Sequence, residues 1–161
     1  MTETWDERVA HVWAQAEQLS DDAVLARIDE LVAERDEADA AAAFEAASVR
    51  DYLGREAEAA PLYRRALASG LDAHRRPQAT IQLASTLRNL GRPDEALALL
   101  EDHLAEHPAD EWTAPAAAFL ALTLASAGRE REAASVALVA LSAALPAYAG
   151  AVRRYALELR R

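Results

Sequence analysis

Apolar residues near the start of the chain recur every three or four positions, the spacing of one face of an α-helix. The pattern predicts two amphipathic helices, over residues 3–18 and 21–35, that pair as a hairpin. Ser20 or Asp21 between them is a suitable N-cap, since either side chain can accept a hydrogen bond from the first turn. The apolar members are Trp5, Val9 and Trp13 in the first helix, and Val24, Leu25, Ile28, Leu31 and Val32 in the second.

Three later segments share one pattern that returns every 37 residues. Each contains a glycine, Gly54, Gly91 or Gly128. An arginine follows the glycine directly, and a Glu-Ala pair begins four residues after the glycine. An alanine stands seven residues before each glycine, and a leucine stands thirteen residues after it. Six identical columns in three copies indicate a true internal repeat.

The repeated residues predict a helix, a tight turn and a second helix in every copy. Glycine adopts the left-handed backbone conformation that ends a helix without strain from a Cβ atom. The glutamate falls in the first turn of the next helix, where the partial positive charge of the N-terminus favours a carboxylate. Pro93 suits the same first turn in the middle copy. We therefore expect three helical hairpins.

These residues resemble the tetratricopeptide repeat, a hairpin with small residues where its helices cross, a glycine turn and an Ala-Leu pair late in its second helix. Ala66-Leu67 and Ala140-Leu141 match that pair, whereas His103-Leu104 departs from it. The resemblance covers residues 38–145. The whole chain is also similar to the small free-standing bacterial proteins grouped as tetratricopeptide repeat group 5, which have no assigned enzymatic activity. The resemblance implies an all-α, right-handed superhelix of about nine helices.

A single domain over residues 1–161 is expected. Residues 1–36 form a degenerate hairpin without the glycine signature, residues 38–145 hold the three repeats, and residues 146–161 form a capping helix that begins at Pro146. A solenoid needs such a helix with a polar outer side to cover the end of its stack. Its predicted inward stripe is Tyr148, Val152, Tyr155 and Leu159, with Arg153, Arg154, Arg160 and Arg161 outside the stripe or at the C-terminus.

Composition and charge narrow the range of functions. The 161 residues carry a net charge of -10, and every one of the 17 basic residues is an arginine. Residues 1–60 hold 16 acidic and 5 basic residues, a net charge of -11. Residues 61–161 hold 11 acidic and 12 basic residues, a net charge of +1. An acidic chain is a poor nucleic-acid binder, because binding requires a basic surface. Without cysteine, the chain has no disulfide, thiol nucleophile or thiolate metal site.

Two uncharged stretches, residues 112–128 and 133–152, approach the length of a membrane span. Both are mostly alanine, and Pro146 and Gly150 interrupt the second, so they are predicted to be buried helices without membrane contact. The opening residues are acidic and lack the apolar core of a signal peptide. We therefore expect a cytoplasmic protein.

The resemblance implies that the first helix of each hairpin lines a concave face. Asp51 and Arg88 stand at equal offsets from their glycines, so we expect them to face each other. With Asn89 the arginine would grip a carboxylate or a peptide backbone, and the alternative is an inter-repeat salt bridge that binds nothing. The predicted patch consists of Ser48, Asp51, Tyr52, Gln82, Ser85, Arg88 and Asn89.

Signals for catalysis, metal or a cofactor are weak. His103 and His107 lie four residues apart on one helix, but no third ligand accompanies them, and the second precedes Pro108 at a helix end. The sequence has neither a glycine-rich phosphate loop nor a recognisable Ser/His/Asp arrangement. We expect no cofactor, no metal and no enzymatic activity. Trp5, Trp13 and Trp112 are interpreted as core anchors.

The favoured function is a non-catalytic scaffold that binds a protein or peptide at the predicted patch. One alternative is a self-assembling structural protein, a homodimer among its forms, because the uncharged third repeat and last helix would bury against a second copy. The other is a small-molecule binder or enzyme that uses Asp51, Arg88 and Asn89. The sequence identifies no particular partner.

Overall fold

The computed structural model describes residues 3–160, which form nine α-helices, one short 3-10 helix at Ala16–Gln18 and no strand. The predicted all-α fold is confirmed. The helices are α1 (Trp5–Ala14), α2 (Asp21–Ala33), α3 (Ala40–Tyr52), α4 (Glu56–Ala68), α5 (Arg75–Asn89), α6 (Pro93–Glu106), α7 (Thr113–Ser126), α8 (Glu130–Ser142) and α9 (Ala149–Glu158).

Two compact units divide the chain, a first unit over Met1–Ala79 and a second over Thr80–Arg161. In the first unit α1 packs on α2, α2 on α3 and α3 on α4. In the second, α6 packs on α7, α7 on α8 and α8 on α9. Consecutive helices are thus neighbours within each unit, as expected for helical hairpin repeats.

The N-terminal hairpin buries the apolar stripes that the sequence predicts. Ser20 is the N-cap of α2, because its side chain accepts a hydrogen bond from the backbone N–H of Ala23. The indole Nε1 of Trp5 donates to the carbonyl oxygen of Leu31 at 2.8 Å and ties α1 to α2. The shared core with α3 consists of Trp5, Val9, Val12, Ala16, Val24, Ile28, Leu31, Ala42 and Val49.

The three glycine turns are built as predicted. Gly54, Gly91 and Gly128 have φ angles of 69°, 73° and 72°, in the left-handed region. In the middle turn the Gly91 amide donates to the carbonyl of Arg88 at 3.1 Å, and the Arg92 amide donates to the carbonyl of Leu87 at 2.9 Å. The other two turns repeat this pair of bonds. It is the Schellman arrangement that satisfies the last carbonyls of a helix.

The glutamate of the repeat has a second role beyond its place at a helix N-terminus. Arg92 Nε lies 2.5 Å from a carboxylate oxygen of Glu95, and Arg129 Nε lies 2.7 Å from Glu132. In the first copy the equivalent Glu58 instead lies 3.7 Å from Arg50 Nε. The arginine after the glycine therefore bridges the turn to the next helix in two of the three copies.

The last helix begins later than predicted, at Ala149, so its predicted start at Pro146 is wrong. Tyr148 precedes it with a φ of 63°, a left-handed conformation that is uncommon for a residue with a side chain. The helix thus begins three residues after Pro146.

The predicted inward stripe of α9 is half wrong. Ala156 is buried between the half-buried Val152 and Leu159, whereas Tyr148 and Tyr155 are 83% and 58% exposed. Residues at positions 152, 156 and 159 share one helical face, and position 155 lies off it. Arg161 lies outside the described residues.

The uncharged stretches form α7, much of α8 and the start of α9. No helix within residues 3–160 has both the length and the hydropathy needed to cross a bilayer.

Candidate functional site

Helix α3 carries the first three residues of the predicted patch. Asp39 caps its N-terminus by accepting a hydrogen bond from the Ala42 amide at 2.9 Å, and the following alanine run favours helix. The alanines are small enough for the neighbouring elements to approach closely, and α3 is buried on every side over residues 42–47. Ser48 and Asp51 are left half-buried, and Tyr52, at the last turn, is 51% exposed.

Tyr63 of α4 lies beneath two of these residues. Its hydroxyl is 3.3 Å from a carboxylate oxygen of Asp51 and 3.5 Å from the hydroxyl of Ser48. Burial, and after it the charge of Asp51, raises the pKa of the Tyr63 phenol well above its usual range. The hydroxyl therefore keeps its proton and donates it toward Asp51. The Phe44 ring packs beside Tyr63, with ring centroids 6.2 Å apart.

An aromatic corner and a buried carboxyl extend this face beyond the predicted residues. The half-buried Trp13 ring meets Tyr52 edge to face, with centroids 5.7 Å apart. Its indole Nε1 donates to a carboxyl oxygen of Glu45 at 2.8 Å. Glu45 is only 6% exposed. Sequence reasoning missed Glu45, although a single acid in the run from Ala40 to Ala47 was a signal for it.

Helix α5 carries the other four residues of the predicted patch, all within the second unit. Gln82, Ser85 and Arg88 are half-buried and Asn89 is exposed. The Arg88 guanidinium donates to the side-chain oxygen of Asn89 at 3.1 Å, so the two side chains form one polar group at the end of the helix. Asp51 belongs to the first unit and Arg88 to the second, and their predicted ion pair stays a prediction.

A family model described as "Tetratrico peptide repeat" matches residues 40–159, about three quarters of the chain. The chain belongs to the tetratricopeptide repeat family. No curated protein is similar enough to match it. The match begins at the first residue of α3 and extends through α9, so it includes every residue of the predicted patch.

Outside the tetratricopeptide repeat match, Asp6 of α1 and Arg35, which follows α2, contribute to a charged cavity of about 350 Å³ in the first unit. Arg75 Nη2 lies 2.5 Å from Asp6 and Nη1 lies 2.7 Å from Asp72, and Arg35 Nε lies 3.0 Å from Asp39. Each arginine is thus already matched with carboxylates of the chain itself. The pair of Arg75 with Asp6 ties α1 to the start of α5, and sequence reasoning missed it because the two residues are 69 positions apart in the chain.

His103 occupies the place of the alanine in the Ala-Leu pair of the tetratricopeptide repeat. The side chain is buried, and its Nε2 has no hydrogen-bond partner. Burial, and then the neighbouring His107, lowers the pKa of the His103 imidazole. The two rings lie 5.0 Å apart between centroids. The described residues contain no group of three ligands suited to a metal ion.

The buried Glu45 carboxyl makes the free energy of unfolding of the tetratricopeptide repeat chain depend on pH. Burial raises the pKa of the Glu45 carboxyl above its ordinary value of 4.5, and the Trp13 hydrogen bond opposes that shift. Because the pKa is raised in the folded state, the contribution of the Glu45 carboxyl to the free energy of unfolding is fully present below about pH 4.5. This contribution is lost as the pH rises through the folded-state pKa. Glu45→Gln removes the titration and keeps an oxygen that can accept from Trp13.

We therefore expect the free energy of unfolding of Glu45→Gln, relative to the unaltered chain, to increase between about pH 4 and about pH 7. Urea titrations monitored by circular dichroism at several pH values measure the trend. Glu17→Gln, at an exposed position, is the control for loss of one charge. A difference that stays flat with pH for Glu45→Gln would contradict a buried, titrating carboxyl.

Proposed function

We propose that the chain is a non-catalytic scaffold that binds a protein or peptide partner through the predicted patch on α3 and α5. Tetratricopeptide repeat domains typically bind protein partners, which supports this class of function. The observation that carries the proposal is Tyr52, an exposed aromatic ring beside Asp51 and edge-on to Trp13. Exposed aromatic residues with a polar neighbour are characteristic of binding surfaces.

The face of α3 suits a basic group of the partner. Trp13 and Tyr52 present ring surfaces, and Asp51 supplies a carboxylate next to them. A lysine or arginine side chain is attracted both by the faces of aromatic rings and by a carboxylate. Because the hydroxyl of Tyr63 orients the Asp51 carboxylate, this acceptor is positioned before the partner arrives.

The end of α5 suits a carboxylate or a peptide backbone. Arg88 offers a planar fork of donors, and Asn89 offers both a donor and an acceptor. Their hydrogen bond at 3.1 Å fixes the two groups relative to each other. A partner segment with a carboxyl or free backbone groups would therefore meet matching chemistry at this end of α5.

The test is binding to arrays of peptides that contain basic, acidic or neutral residues, followed by affinity measurements on the peptides retained. We expect basic peptides to bind, with affinity roughly tenfold weaker for Tyr52→Ala. The double variant Arg88→Glu/Asn89→Ala should also lose binding, since its carboxylate repels the acceptor groups of the partner. Arg65→Glu, an exposed arginine of α4 outside the predicted patch, is the matched control.

Capture from a lysate of the source organism with the same variants extends the test to intact proteins. A protein held by the unaltered chain and by Arg65→Glu, but lost by both patch variants, supports the proposal. Equal binding by all folded variants would place the partner on another surface. Circular dichroism of each variant checks that the helices are retained.

A further inference from the structure

The outward side of α9 carries exposed aromatic, apolar and basic residues, although a capping helix is expected to be polar there. We propose that this surface docks a second copy of the chain, which binds it through the acidic outward sides of its α1 and α2. The inference concerns residues outside the predicted patch and does not depend on the proposed function. The α9 surface consists of Arg153, Arg154, Tyr155 and Leu157.

The α9 surface is preorganised for binding. The Arg154 guanidinium lies over the Tyr155 ring at 4.9 Å from its centroid, so the two side chains form one platform. Beside it, an open cavity of about 430 Å³ is lined by Gly150, Arg153, Arg154, Leu157 and Glu158. Tyrosine and arginine are enriched at protein interfaces and among the residues that contribute most to binding.

Helix α9 is held in place from its other side. Ala156 is buried, Arg160 Nε donates to the Ser135 hydroxyl of α8 at 3.0 Å, and Arg131 Nε of α8 donates to the Leu159 carbonyl at 3.3 Å. A helix anchored in this way keeps its exposed side chains in a fixed arrangement. Little ordering is then needed when a partner binds, which favours affinity.

The acidic outward sides of α1 and α2 complement the α9 surface in charge. After residue 142 the chain has four arginines and one glutamate, whereas residues 1–60 have a net charge of -11. Within the N-terminal hairpin, Arg8 already pairs with Glu34, and Arg27 donates to Gln15 at 3.1 Å. The acidic surface consists of Glu7, Ala10 and Ala14 on α1 and of Asp22, Ala26, Glu30 and Ala33 on α2, all exposed.

Small residues between these acids add a steric match. Ala26 and Ala33 lie on the same exposed stripe of α2 as Asp22 and Glu30, because all four are spaced by three or four residues. A flat strip of alanines can accept Leu157, while the flanking carboxylates reach Arg153 and Arg154. The contact joins two different surfaces and is therefore heterologous.

The test is sedimentation velocity of the full chain from low micromolar to submillimolar concentration, at low and at high sodium chloride. We expect association that weakens with salt, because the steering charges are screened. Arg153→Glu/Arg154→Glu should weaken association about tenfold or more, since it places like charges opposite each other. Arg64→Glu/Arg65→Glu, adjacent exposed arginines of α4, makes the same change in net charge and should leave association intact.

A charge swap identifies the opposite surface. Asp22→Arg/Glu30→Arg alone should also associate weakly, and an equimolar mixture with Arg153→Glu/Arg154→Glu should regain association. Circular dichroism verifies that every variant retains its helices. The proposal is overturned if the unaltered chain stays monomeric throughout the low-salt series, if the α9 variant associates as tightly as the unaltered chain, or if the mixture fails to associate.

Discussion

Tyr63→Ala is expected to lower the free energy of unfolding by about 3–5 kcal/mol. The tyrosine is fully buried between α3 and α4, against Phe44, and it is among the largest side chains with no exposure. Alanine would leave a cavity where these helices pack, and their backbones cannot close it fully. Urea denaturation followed by circular dichroism measures the loss.

The matched variant Tyr63→Phe separates packing from hydrogen bonding. It keeps the ring and removes only the hydroxyl that lies 3.3 Å from Asp51, so we expect a cost within about 1 kcal/mol. Its effect on peptide binding should exceed its effect on stability, because the Asp51 carboxylate loses a group that orients it. A cost for Tyr63→Ala no larger than that for Tyr63→Phe would contradict a tightly packed ring.

Gly91→Val is expected to lower the free energy of unfolding by about 1–2 kcal/mol. A Cβ atom built on Gly91 meets nothing within 4 Å, so the cost comes from the backbone and not from a clash. At a φ of 73° a branched side chain crowds its own carbonyl groups. The variant should retain its helices and unfold at a lower urea concentration.

Gly150→Val is the control for this argument. Gly150 also has open space around its Cβ position, but it lies in α9 and has no positive φ. Valine there should change stability by less than about 0.5 kcal/mol, since glycine and valine are both weak helix formers. Equal losses at the two positions would show that the left-handed turn is not the source of the effect.

The turns and the N-terminal hairpin were predictable because short-range physics determines them. Left-handed glycine, a capping serine and apolar spacing each act within a few residues of chain. Gly54, Gly91 and Gly128 therefore end their helices where the sequence predicted. Ser20 caps α2 for the same reason.

The features that the sequence did not predict depend on contacts between distant residues or on small differences in the direction of a side chain around its helix. Glu45 lies in the buried stretch of α3 and accepts a hydrogen bond from Trp13, 32 residues earlier. Tyr155 was assigned inward from its apolar character, yet one helical position separates it from the buried Ala156. The pairing of Asp51 with Arg88 depends on the placement of two helices, which sequence offsets alone do not determine.

Each turn of the repeat is closed by bonds made inside its own hairpin, from the glycine and arginine amides to the preceding helix. In the second and third copies an arginine-glutamate pair fastens the turn to the helix that follows. The turn therefore works as a self-sufficient module, which duplication can copy without adjustment elsewhere. Selection is then free to diversify the helix faces, as at Asp51, Arg88 and Ala125, where three copies of one position have acquired different chemistry.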